Sequence, residues 1–126
     1  MSAILQSPKE WPSILLARAG AKDAANLDEA LEAGAFEGLR RAVRELGPEA
    51  TISEVEASGL RGRGGAGHPT AAKWRAAAET PARERYVVAT GYGADPAAST
   101  DRTLLETDPY AIVEGVAIAA FAIGAE

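Results

Sequence analysis

Cysteine is absent from the 126 residues, and histidine and methionine occur once each. Without thiols the chain has no disulfide and offers no thiolate to zinc or to an iron–sulfur cluster, a pattern that fits a reducing compartment. Positive charge is also in short supply, with 13 Lys and Arg against 18 Asp and Glu, a net charge of -5. Nucleic-acid and anionic-membrane partners call for a basic surface, so neither is expected, and any cationic site must be local. Long apolar runs are missing too. The longest, Gly115 to Ala125, is 11 residues, too short to cross about 30 Å of hydrocarbon, and it reads as a buried helix with no direct membrane insertion. The apolar start, Met1 to Leu5, meets Lys9 and Glu10 before it reaches signal-peptide length, so a cytoplasmic location is expected.

What is present is 47% hydrophobic and 25% charged, the composition of one ordinary globular domain with a modest core. Residues 1–25 read as an irregular N-terminal segment, with Pro8, Pro12 and the cluster Ile14, Leu15, Leu16. Helical signals begin at Asn26, which with Glu29 has capping-box spacing, and Gly34 closes that short helix. Phe36, Leu39, Val43 and Leu46 recur at three and four residues, an amphipathic stripe that Gly47 and Pro48 stop. Thr51 and Glu54 repeat the cap signature ahead of Ile52 and Val55. The alanines predict a helix over 70–78. Asp108 followed by Pro109 predicts a helix through Ile112, Val116, Ala120 and Ile123, with a shorter helical piece around Leu104 and Leu105.

Arg85 to Thr90, "RYVVAT", is the only convincing strand, β-branched and apolar. One strand makes no sheet, so the expected class is an incomplete α/β domain, mostly helical with few strands, whose strand partners lie elsewhere.

The chemistry concentrates in "SGLRGRGGAGHPTAAKW", residues 58–74. Gly62, Gly64 and Gly67 satisfy G-x-G-x-x-G, a spacing that lets backbone amides approach a phosphate closely at a helix N-terminus. The Rossmann form needs a strand just before it and an acid ending the next one. Here the predecessor, "ISEVEASG", is helix-like and "RYVVAT" ends in Thr90. No Gly-Lys-Ser/Thr follows, which excludes the Walker loop. A flexible turn explains the glycines alone. Arg61, Arg63 and Lys73 favour a local site for phosphate or flavin oxygens in an otherwise acidic chain.

Together with "YVVATGYGADPAASTDRTLLETDPYAIVEGVAIAAFAIGA", this motif resembles the FMN-binding flavoprotein subunit of NADH:quinone oxidoreductase, the 51-kDa-type subunit of respiratory complex I. It is also similar to the corresponding subunits of NAD-reducing hydrogenases and NAD-dependent formate dehydrogenases. The resemblance implies that residues 26–126 are part of an FMN/NADH-binding α/β domain. By position it implies that Gly62, Arg63, Gly64 and Lys73 contact the flavin nucleotide, while Gly64, Gly65 and Ala66 line the nicotinamide nucleotide and Gly67 completes the loop. The partners implied are other subunits of an oxidoreductase complex, iron–sulfur proteins included, with the chain in the cytoplasm or peripheral to a membrane complex.

After the strand, the family pattern reads Asn-Ala-Asp-Glu-Ser/Gly-Glu-Pro-Gly. This sequence has Thr90 in place of the asparagine and keeps, of the acids, only Asp95. Two functions follow as expectations: an FMN- and NADH-binding module passing hydride to the flavin, or a non-catalytic homologue serving docking and assembly. No catalytic side chain and no metal ligand is implied. His68 reads as a loop residue or a nucleotide contact, and Tyr92 and Tyr110 as surface or packing residues. Asp101, Arg102 and Glu106 read as a local charge set. Glu114, set in an apolar helix, needs a partner, for which Arg61 and Lys73 are the candidates.

Overall fold

The structure, a computed structural model of the chain, describes residues 14, 23, 26–93, 97 and 99–126. Most of the expected irregular segment 1–25, and Asp95, lie outside the described residues. Among the described residues six helices follow one another: α1 (Leu27–Glu32), α2 (Glu37–Arg41), α3 (Pro48–Ala57), α4 (Thr70–Glu79), α5 (Thr100–Thr107) and α6 (Pro109–Ile123). Between α2 and α3 the chain makes one wider turn, Ala42–Leu46, in which Gly47 N–H reaches back to Ala42 O at 2.9 Å.

Local chemistry sets the helix ends. Asn26 Oδ1 accepts from the N–H of Asp28 at 3.0 Å and of Glu29 at 3.3 Å, the cap that the sequence predicts. Asp108 Oδ1 accepts from Ala111 N–H at 3.3 Å, and Pro109 occupies the first turn of α6, where a missing N–H costs nothing. The Thr51 cap is corrected. Helix α3 begins three residues earlier, with Pro48 in its first turn, and Thr51 is a buried helical residue whose hydroxyl donates to Gly47 O at 2.7 Å. Proline at a first turn both stops one helix and opens the next.

The core lies where α3, α4 and α6 meet. Ile52, Ala71 and Ala122 are buried there, with Val55, Trp74 and Ala78 packed against them. Alanine at the contacts lets helices approach closely, but leaves Ile52 as the single large side chain that is fully buried among the described residues. Burying such a side chain contributes about 1.5–3 kcal/mol, so the trio forms a thin core. The expected stripe along α2 is only partly inward. Leu39 is half-buried, Val43 is exposed, and the buried positions are Ala35 and Ala42. Phe36 stands at the N-terminus of α2 with φ of 64°, its ring 6.1 Å from that of Tyr110, edge to face.

Residues 81–93 carry no hydrogen-bonded ladder; the single β-bridge among the described residues is Arg61 with Pro69. The stretch read as a strand forms no ladder with another segment among the described residues, and its Tyr86 and Val88 side chains are 67% and 84% exposed. A strand exists only through its partners, which explains the difference: β-branched content supplies the propensity, and nothing here supplies the ladder.

Candidate glycine-loop site

The glycine stretch forms a closed loop between α3 and α4. Its neck is made by Thr70 N–H to Leu60 O at 3.0 Å and Gly62 N–H to His68 O at 2.9 Å. Arg61 is exposed, and its Nη1 donates to Gly67 O at 3.0 Å, a bond that braces the loop across its neck. Beyond the neck, the N–H groups of Arg63, Gly64, Gly65, Ala66 and Gly67 take part in no hydrogen bond among the described residues. Residues 63–66 are exposed.

Glycine is needed at two of these positions for backbone reasons. Gly65 has φ of 132° and Gly67 φ of 60°, where a Cβ brings strain. A Cβ built on Gly64, Gly65 or Gly67 meets nothing within 4 Å. The loop is therefore bare toward solvent.

Charge points the same way. Arg63 and Lys73 are exposed and form no ion pair among the described residues. The first turn of α4 holds no acid, so the positive end of this 10-residue helix adjoins the loop without an internal counter-charge. Free amides, a helix N-terminus and two free cations together form an anion-receptive surface.

The loop is held by its flanks. Arg75 on α4 pairs with Glu49 and, at 2.9 Å, with Glu56, both on α3, locking together the two helices that carry the loop ends. Hydrogen bonding to Glu49, then to Glu56, holds the guanidinium above its ordinary range. Arg85 caps the other end of α4, donating to Ala77 O at 3.0 Å, Ala78 O at 3.1 Å and Thr80 O at 2.9 Å. Sequence reading missed both; their only signal was a long cation placed opposite acids or just beyond a helix end.

The expected site residues are thus divided. Gly62, Arg63, Gly64, Gly65, Ala66 and Gly67 share the loop, and Lys73 stands on the first turn of α4. Thr90 is elsewhere, lining a concavity of about 330 Å³ with Ala89, Gly91, Asp101, Leu104, Leu105 and Ile112 and with no residue of the loop. His68 is exposed, its Nδ1 3.1 Å from Pro69 O. Of the expected charge set, Arg102 pairs with Glu106 at 2.7 Å, while Asp101 forms no ion pair among the described residues. Glu114 is a correction: neither Arg61 nor Lys73 meets it. Its Oε2 accepts from Phe36 N–H at 3.0 Å and its Oε1 from Leu39 N–H at 3.1 Å, capping α2 from 75 or more residues away. A Cβ on Gly38 would stand 3.0 Å from that carboxylate, which is why this helical position is bare.

A family model described as the Nuo51 FMN-binding domain matches residues 55–126, a span that takes in the loop, α4, the extended segment, α5 and α6. The chain belongs to the Nuo51 FMN-binding domain family. Within that family it is 39% identical over 113 residues to an NADH-quinone oxidoreductase subunit of Aquifex aeolicus, covering 90% of this chain and 26% of that protein. To the NADP-reducing hydrogenase subunit HndC of Solidesulfovibrio fructosivorans it is 37% identical over 123 residues, 98% of this chain and 25% of that one. To the NADH-quinone oxidoreductase subunit of Escherichia coli that it matches, it is 34% identical over 126 residues, 99% and 28%. The chain spans about a quarter of the length of the curated relatives it matches. No helix among the described residues is long and apolar enough to cross a membrane, and no cluster of His, Asp or Glu among them is arranged to hold a metal ion.

Proposed function

We propose that residues 26–126 form part of an FMN- and NADH-binding α/β domain in a subunit of an NADH-linked oxidoreductase, with 1–25 as an irregular lead-in. The observation that carries this reading is the row of amides from Arg63 to Gly67, which with the Arg63 and Lys73 side chains have no partner among the described residues and lie inside the region that the FMN-binding family model matches. The donor set suits a nucleotide phosphate, which takes up amide hydrogens and two cations at once. The absence of side chains at Gly62, Gly64, Gly65 and Gly67 suits a flat ring system lying against main chain.

In this reading Arg63 and Lys73 neutralise the phosphate, and the amides of Gly64, Gly65 and Ala66 orient the flavin nucleotide and the nicotinamide nucleotide beside it. By resemblance Thr90 and Asp95, in the segment after "RYVVA", are further cofactor contacts, Thr90 from a concavity apart from the loop. Bound FMN supplies the ability to take a hydride from NADH and pass electrons on singly. The partners are other oxidoreductase subunits, iron–sulfur proteins among them, and the location is cytoplasmic or peripheral to a membrane complex.

A second reading, docking or assembly without catalysis, draws on the separation of Thr90 from the loop and on the replacement of the expected asparagine and acids around it. Calorimetric titration of the purified chain with FMN tests the two. Saturable heat with a raised melting temperature is the result expected of the module. No heat, joined with stable association to a larger oxidoreductase, decides for docking.

A further inference from the structure

Of the lysines in this chain, Lys9, Lys22 and Lys73, the last is the fourth residue of α4, the helix that begins where the glycine loop ends. Its neighbours along the helix are small and uncharged. The positions three and four residues away, Pro69, Thr70, Ala76 and Ala77, hold no acid, so no carboxylate on the adjoining turns pairs with the ammonium. The inward side of α4 is taken by Ala71, Trp74 and Ala78 in the core and by Arg75, which Glu49 and Glu56 hold. Lys73 lies off that side, exposed and without an ion pair among the described residues. The adjoining loop offers Arg63 and a row of amides, from Arg63 to Gly67, that have no partner among the described residues. An accessible amine thus stands beside a surface that suits a phosphate.

We infer that Lys73 is a modification site, acylated by a small acyl phosphate whose phosphate group is held by Arg63 and the loop amides. The inference rests on the phosphate-holding part of the function proposed above. An acyl phosphate joins a reactive carbonyl carbon to an anion of the kind this loop takes, so docking the anion brings the carbonyl to the amine. In the step, the unprotonated Nζ of Lys73 attacks the carbonyl carbon and a C–N bond forms. The bond from that carbon to the bridging oxygen breaks, and inorganic phosphate leaves with its electron pair and takes up the proton that the nitrogen gives up. No oxidant or reductant takes part. Lysine is a residue that such chemistry targets, and holding the donor in place raises the rate by proximity.

The product is a neutral amide where a cation stood. Arg63 then remains as the one cation of the pair, and the hold on a nucleotide phosphate is weaker. A phosphate already on the loop excludes the acyl donor in turn. Cofactor loading and acylation therefore oppose each other at the same side chain, which makes the site responsive to the supply of acyl phosphate.

Mass spectrometry of the 126-residue chain incubated with acetyl phosphate tests this, with Lys9 and Lys22 as internal references. Lys73 is expected to acetylate about 10-fold or more faster than either, at a rate that saturates with acetyl phosphate and falls when inorganic phosphate is added. Arg63→Ala is expected to bring Lys73 down to the rate of the other two, and an acetyl thioester without a phosphate to acetylate all three alike. Equal rates at the three lysines overturn the inference. So does a fast Lys73 that neither saturates nor responds to inorganic phosphate and Arg63→Ala, since that marks an exposed amine with no docked donor. None of these readings uses flavin. A chain that binds no FMN yet shows this pattern contradicts the flavin assignment and keeps the inference, whereas a chain that prefers FMN to riboflavin while its lysines acetylate alike does the reverse. After acetylation of Lys73, an unchanged melting temperature with FMN affinity lowered about 10-fold or more is expected, and unchanged affinity contradicts the opposition between loading and acylation.

Discussion

Two stretches of this chain leave backbone amides without a partner among the described residues, Arg63 to Gly67 and Tyr86 to Gly93, and they differ in what stands around them. The first has glycines with open space, two free cations and a helix N-terminus. The second has valines and tyrosine, with the carbonyl just before it already engaged by Glu126. Free amides amid positive charge suit an anion, and free amides amid apolar side chains suit another strand. A third set, the amides of Phe36 and Leu39, shows the same need met internally, by Glu114 reaching across from α6. Main-chain hydrogen bonding is the shared requirement. Side-chain surroundings select the partner.

The largest expected effect breaks the first stretch alone. Replacing both Arg63 and Lys73 by Ala removes two charge-assisted contacts, about 3–4 kcal/mol together, and lowers FMN affinity roughly 100- to 1,000-fold. Melting stays near wild type because both side chains are exposed and form no ion pair among the described residues. Equal losses of affinity and stability, measured by titration and thermal unfolding, contradict the assignment.

Next comes the internally satisfied set. Glu114→Ala leaves two part-buried N–H groups without their acceptor and is expected to destabilise the fold by about 2–3 kcal/mol in denaturant unfolding. A change within about 0.5 kcal/mol, ordinary for a surface substitution, contradicts the capping role.

How much of this was legible in the sequence follows from range. Asn26, the alanine helix from Thr70 and the Asp108-Pro109 start act through atoms within four residues, and each appears where expected. The glycine loop was legible as a motif because its backbone needs are local. Glu114 was legible as a problem only: a carboxylate in an apolar helix demands a partner, but its partners lie at Phe36 and Leu39, a distance no spacing rule covers. Pro48 misled because proline serves a helix end and a helix start alike. The segment from Arg85 has strand composition without a ladder, since pairing belongs to two segments at once.

A smaller effect sharpens the second stretch. Tyr86 donates its phenolic hydrogen to Glu84, and this hydrogen bond holds the phenol above its ordinary value. A raised value means that the fold favours the protonated phenol. The contribution is fully present below the unfolded value of about 10 and is lost as pH rises through the folded one. Spectrophotometric titration of tyrosinate should therefore show one tyrosine ionising earlier in Glu84→Gln than in wild type. Superimposable curves contradict the contact.

The account rests most heavily on the claim that the Arg63 to Gly67 amides, with Arg63 and Lys73, hold a phosphate. Side-by-side titration of the chain with FMN and with riboflavin, which shares the ring and lacks the phosphate, addresses that claim directly. Tighter binding of FMN, with the preference abolished in the Arg63→Ala, Lys73→Ala double variant, is the predicted result. Equal affinity for the two flavins, or a preference that survives the double substitution, contradicts it.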